Sequence, residues 1–238
     1  MKAEAFQRHI ANEKRHWWFS GRREILNFIL QRNRIKKKLK ILDFGSGSGT
    51  NIDILRKYGS VYVYEKNKKM NTYLRKKYNK IKNVTVINNY KKQKYELVVA
   101  ADVIEHIKND KKAIKELNLL LKKDGKILIT VPAFQILFSK KDIQLGHFRR
   151  YSIVDFKKLI KSFKTIKLTY FNFFLFVPLS LIILFLKIFK IEFIDYAEKS
   201  PNIITNKFFY FMLSMEKFFL NYINFPFGLS ILFFGEKK

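Results

Sequence analysis

The chain contains no cysteine. Disulfides, iron–sulfur clusters, cysteine-ligated zinc and a cysteine nucleophile are therefore excluded. Acidic residues are scarce, 19 against 48 Lys and Arg, so the 238-residue chain carries a net charge of +29. Histidine occurs four times, which leaves imidazole chemistry few places to reside. There is no internal repeat and no Gly/Ser linker, and residues 1–15 lack the apolar run of a secretion signal. A cytoplasmic protein is expected. What remains is 48 % hydrophobic and 28 % charged. That is enough to bury a core, at a length suited to one domain with an embellishment.

The charge is uneven. Residues 1–167 carry 41 basic and 14 acidic side chains, whereas residues 168–238 carry 7 and 5. A basic body attracts nucleic acid, phospholipid headgroups or anionic substrates, and a biased base composition also raises lysine. The nearly neutral remainder is rich in Phe, Leu and Ile. Its residues 168–186 form a run of nineteen without a formal charge, long enough to be weighed as a membrane span. Asn172, Pro178 and Ser180 interrupt it, and 167–171 reads as a strand. The expectation is a strand followed by an apolar helix that is buried or lies on a membrane surface.

Alternation of short apolar runs with helical patterns organises the rest. Strands are expected at 38–43, 60–65, 83–88, 95–101, 126–131 and 229–234. Helices are expected at 3–33, 50–58, 67–79, 110–123 (with Asp110 as its cap), 152–162, 178–190 and 204–224. Such a pattern calls for a doubly wound α/β sheet, whose ligands bind at the carboxyl ends of the strands. The loops 43–50, 65–67, 88–94, 101–107 and 131–151 should share that rim.

The strongest motif is Asp43-Phe44-Gly45-Ser46-Gly47-Ser48-Gly49. Its glycines let backbone turn sharply and approach a ligand. Glu65 ends the next strand, where a carboxylate can take both hydroxyls of a ribose. Together they indicate an adenosine-bearing ligand. The third glycine of a dinucleotide loop is absent, since Thr50 or Ile52 stands there in either register. An acid followed by G-x-G-x-G instead resembles the class I S-adenosylmethionine-dependent methyltransferases. Residues 97–106 (LVVAADVIEH) resemble that family's fourth strand and following loop, and 119–132 its next helix and strand. Residues 16–23 (HWWFSGRR), 146–151 (GHFRRY) and 226–230 (PFGLS) resemble a bacterial branch acting on small molecules or lipids.

The resemblance implies a seven-stranded Rossmann-like sheet with the last strand antiparallel. It divides the chain into a helical lid (1–35), the core (36–175), an apolar helical cap (176–225) and a final strand returning to the sheet (226–238). It implies S-adenosylmethionine as cofactor, with Asp43, Gly45, Ser46, Gly47 and Gly49 beside the methionine part and Glu65 on the ribose. Asn89, Ala101 and Asp102 complete that set, Asn89 standing where a family acid often meets the adenine amine.

Methyl transfer from a sulfonium needs alignment and, for some acceptors, a base. His147, with Asp142 to orient it, and His106 are the candidate bases. Trp18, Arg22, Arg149, Arg150 and Tyr151 are the candidate acceptor contacts. Glu105 and His106 alone are too little for a metal site, and none is expected. Residues 101–104 lack a Pro-Pro-aromatic element, so nucleic-acid amine methylation is not expected. The low charge of 176–225 points instead to an apolar, lipid-linked or glycan-linked acceptor, methylated at oxygen, met peripherally at the inner face of a membrane. An RNA-directed enzyme and a non-enzymatic membrane-associated protein with a relic fold are the competing readings.

Overall fold

The computed structural model describes residue 10 and residues 15–189 and 202–238. Parts of the expected first helix and of the apolar region lie outside the described residues. Seven strands form one sheet: β1 (Leu39–Phe44), β2 (Gly59–Tyr64), β3 (Val84–Ile87), β4 (Tyr95–Ala101), β5 (Leu121–Pro132), β6 (Phe163–Phe171) and β7 (Ser230–Lys237). Their order is β3-β2-β1-β4-β5-β7-β6, with β7 antiparallel to both neighbours and the other pairings parallel. This is the expected doubly wound, Rossmann-like sheet. Leu97, Val98, Val99 and Ala100 are fully buried in succession, because central β4 is covered on both faces.

The helices are α1 (Trp17–Arg32), α2 (Ile52–Leu55), α3 (Lys68–Tyr78), α4 (Asp110–Leu120), α5 (Lys140–Leu145), α6 (Ile153–Leu159), α7 (Phe176–Ile188) and α8 (Ile203–Phe219). Helix α1 starts where the ring of His16 accepts from the Trp18 amide, and it buries Ile25, Leu26, Ile29 and Leu30 along one face. Burial, with a smaller contribution from Lys141, pushes His16 down to about 4, so it remains a neutral acceptor. Gly21 gives α1 its close approach to α8: a Cβ there would stand 2.7 Å from a Leu213 methyl.

Several boundaries differ from expectation, β5 and β6 beginning at Leu121 and Phe163 and the last helix ending at Phe219 among them. Helix α2 has four residues rather than the span 50–58. The cap of α4 is Asn109, whose side chain accepts from the Lys112 amide, rather than Asp110; the helix stops at Leu120 because Leu121 turns extended into β5. The last strand runs on to Lys237, pairing with the long β6. In the apolar run, β6 ends at Phe171, Asn172 turns at φ +58°, and α7 begins at Phe176. No helix among the described residues is long and apolar enough to cross a membrane.

Candidate active site

The sheet order reverses at β1, which pairs with both β2 and β4. Their carboxyl ends therefore open the crevice in which such sheets bind ligands. Gly45 leaves β1 at φ +71°, and a Cβ there would lie 2.6 Å from Val103, so only glycine fits. Its amide donates to the Tyr64 carbonyl at 2.8 Å, tying the loop to β2. Asp43 is buried at the end of β1 and accepts from the Ser46 hydroxyl at 2.6 Å. Burial pushes its carboxyl up to about 6, against the hydrogen bond from Ser46 and the charge of Arg22.

Glu65 spans the two loops. One oxygen accepts from the Gly47 amide at 2.8 Å and the other from the Asn67 amide at 2.7 Å. Two amides leave a carboxylate with further lone pairs, fixed beside a loop whose Gly47 has no side chain to stand in the way. That donor set fits a nucleoside ribose, and Asp43 beneath the loop suits a cationic ligand. Asn89 stands in the loop after β3. Its side-chain oxygen caps the turn Tyr90–Lys92 by accepting from Lys91, so this oxygen serves the loop itself.

Asp102 follows β4 at φ +56°, an uncommon conformation for a side-chain-bearing residue and one that clusters at functional sites. Its amide donates to the Thr130 carbonyl, and the Thr130 hydroxyl donates to its carboxylate at 2.7 Å. Arg22, nearly buried on α1, pairs with the same carboxylate and reaches the Thr50 hydroxyl at 3.3 Å. The Arg22 guanidinium also lies about 6 Å from the rings of Trp18 and Phe19. Trp18 stacks on Phe171 and Trp17 meets Phe209 edge-on. The first helix is thus locked to the rim through Arg22, a link invisible in sequence because its partners lie 28 and 80 residues away.

Beyond β4 and β5 lies a second cluster. Ser139 and Asp142 form a capping box that starts α5, and Gly146, at φ +82°, ends it. The turn brings His147 back onto Asp142, with Nδ1 2.8 Å from the carboxylate. Arg150 grips Asp142 through two nitrogens at 2.9 Å. Burial alone would raise the Asp142 carboxyl; the bonds from His147 and Arg150 instead hold it well below the usual range. His106 meets the His147 ring edge-on at 4.5 Å. Glu105 is fully buried with no hydrogen-bond partner on either oxygen, and burial together with nearby Asp102 raises its carboxyl well above the ordinary value. Ligand atoms of Glu105, His106 and His147 all lie within 4.8 Å of one another. Two imidazoles and a carboxyl can handle a proton, and they are also a donor set for a divalent cation. The adjacent pair read from sequence thus acquires its third member from another loop.

Three expected acceptor contacts are committed elsewhere. Arg149 pairs with Asp110 at 2.7 Å and donates to the Lys108 carbonyl. Arg150 is the Asp142 clamp. Tyr151 is buried, its hydroxyl donating to Asp110 at 3.0 Å. Through the acids at 110 and 142 these three brace the loop after β5.

A methyltransferase-domain family model matches residues 12–164. No curated protein sequence matches the chain. Among solved structures, a candidate sarcosine dimethylglycine methyltransferase from Galdieria sulphuraria is similar at 18 % identity and TM-score 0.58, over 90 % of this chain and 84 % of that one. Coclaurine N-methyltransferase, solved with N-methylheliamine and S-adenosylhomocysteine, is similar at 16 % identity and TM-score 0.57, over 90 % and 72 %. Phosphoethanolamine N-methyltransferase 2 of Haemonchus contortus, solved with S-adenosylmethionine, gives 18 % identity and TM-score 0.56, over 90 % and 52 %. The match covers most of the chain, the strand order is the expected one, and the glycine loop with Glu65 fits the cofactor: the chain belongs to the class I S-adenosylmethionine-dependent methyltransferases.

Proposed function

We propose that this methyltransferase moves its methyl group to a hydroxyl of a small, apolar, lipid-linked or glycan-linked acceptor. The observation that carries this reading is the His147–Asp142 dyad beside His106, at the rim between the loops that follow β4 and β5. The cofactor supplies an activated methyl on a cationic sulfonium. The chain's own residues then have three tasks. Asp43, Gly45, Ser46, Gly47, Gly49 and Glu65, with the backbone at Ala101 and Asp102, orient the donor. Helix α1, held by Arg22, covers the crevice with Trp18 and excludes water, while α7 and α8 form the apolar side of the acceptor site. His147 and His106 prepare the acceptor hydroxyl.

Asp142 is ionised and faces Nδ1, which keeps the proton on that nitrogen and leaves Nε2 of His147 as the acceptor atom. As the hydroxyl oxygen takes the methyl group in line, its proton leaves toward that nitrogen. Glu105 lies beneath the two imidazoles, its carboxyl raised above the ordinary value by burial and by nearby Asp102.

The test supplies methyl-labelled S-adenosylmethionine with hydroxylated lipids, quinones, glycans and RNA, and locates the label by mass spectrometry. O-methylation of an apolar or glycan-bearing acceptor is expected. The change His147→Gln should slow it about a hundred-fold, with cofactor affinity unchanged. Label on nitrogen alone, label in RNA, or an unaffected His147→Gln variant would overturn the reading. Retention of activity after chelation assigns Glu105, His106 and His147 to the proton rather than to a cation.

A further inference from the structure

Helix α8 is apolar on two opposite faces. One face, with Phe209, Leu213 and Leu220, turns inward, and Phe209 packs on Trp17. The other carries Ile204, Phe208, Phe211 and Phe218 at alternating spacings of four, three and seven, all exposed, with Ile204 at 81 %. Helix α7 repeats the theme: Ser180 is its one buried residue, whereas Leu181, Phe185 and Ile188 are exposed. An exposed apolar stripe beyond the inward face calls for an apolar medium or partner. Seventeen residues in α8 make about 25 Å of helix, short of the roughly 30 Å hydrocarbon layer. Such a helix lies along a bilayer rather than through it.

Beside this stripe, between α1 and α8, is a cavity of about 460 Å³. Arg15, Arg23, Lys57 and Lys207 line it. Among the described lining residues the carboxylate is that of Glu24, held by Lys217 at 2.7 Å and by the Tyr210 hydroxyl. Among the described residues the cavity is therefore a cationic recess whose acid is already paired, adjoining an apolar surface on the same helix. That pairing of chemistries is the complement of an anionic phospholipid. A second copy of this chain is a poor occupant, since each copy carries +29 and two would repel.

We propose that α8 docks on an anionic lipid bilayer, its outward stripe in the headgroup–acyl boundary and its flanking cavity on a lipid phosphate. The contact gives an apolar or lipid-linked acceptor a route to the rim, but it stands whether or not methyl transfer goes to oxygen.

The full chain is floated with vesicles of phosphatidylcholine alone and with vesicles containing about one-third phosphatidylglycerol. Strong binding to the anionic vesicles and weak binding to the neutral ones are expected. A Phe208→Ser/Phe211→Ser variant should weaken binding at least about ten-fold. A Lys57→Gln/Lys207→Gln variant should weaken it about five-fold for each cation removed. Both variants should bind S-adenosylmethionine as the parent does, which shows them folded. Equal partition between the two vesicle types overturns the proposal, as does unchanged binding by both variants. So does a dimer in light scattering that the Phe208→Ser/Phe211→Ser change dissociates, since the stripe would then belong to a second copy. No arm reads methyl transfer, so failure here leaves the acceptor reading intact.

Discussion

The rim of β1, β2 and β4 and the pair α7–α8 solve opposite problems. At the rim, charged groups are met by the chain itself: Glu65 by two amides, Asp102 by Thr130 and Arg22, Asp142 by His147 and Arg150. On α7 and α8 the outward apolar side chains stand exposed, while two polar groups, Ser180 and Glu216, point inward. Ser180 is buried, and Glu216, fully buried, accepts the amides of Asn172, Phe173 and Phe174. The difference separates two roles. A pre-organised polar site keeps its geometry before ligand arrives. A helix fixed on its inner side by Leu213, Phe209 and the buried Glu216 keeps its outer surface for something else.

The sharpest way to break this comparison is Glu216→Ala. It strands three amides at the junction of β6 and α7, and the expected loss is roughly 3 kcal/mol or more, read by chemical denaturation. A near-neutral result would mean that α8 is held by its apolar inner face alone.

The next prediction concerns pH at the rim. Asp43 has its folded value raised to about 6 from 3.8. Its contribution to stability is therefore fully present below 3.8 and lost as pH rises through 6. The difference in stability between the parent and Asp43→Asn should follow that course in denaturation series. Affinity for the cationic cofactor should run the other way, weakening as pH falls through about 6, because the cation favours the ionised carboxylate. Titration calorimetry across that range checks it, and parallel trends in stability and affinity would remove Asp43 from the cofactor site.

The smallest effect is expected on α7. Leu181→Ser and Phe185→Ser should each change stability by no more than about 0.5 kcal/mol, since both side chains are exposed. A larger loss would place that face inside the fold.

What could be read in advance divides by distance along the chain. The strands emerge from runs of four to seven apolar residues, so β4 is placed to the residue and β1–β3 to within one. The glycine loop, Asp43 and Glu65 are legible because their chemistry sits in short segments flanking strands. The His147–Asp142 contact is legible for the same reason, its partners being five residues apart. Arg22 with Asp102 and Glu105 with His147 are not, because only the folded sheet brings them together. Arg149 and Arg150 announce positive charge, but the acids that claim them, Asp110 and Asp142, are fixed by how the loop after β5 closes. Helix α2 shrinks because a local pattern of two apolar residues, Ile52 and Leu55, needs only one turn to be buried.

The central claim is that the loop at Gly45–Gly49 and Glu65 hold S-adenosylmethionine. Isothermal titration of the full chain with that cofactor, beside a Gly47→Arg variant whose side chain would enter the crevice at a φ of +58°, tests it most directly. The account predicts micromolar binding by the parent and none by the variant, whose melting temperature should fall only by the few degrees that about 1 kcal/mol of left-handed backbone strain costs. Absence of binding by the parent, or equal binding by both, would contradict it.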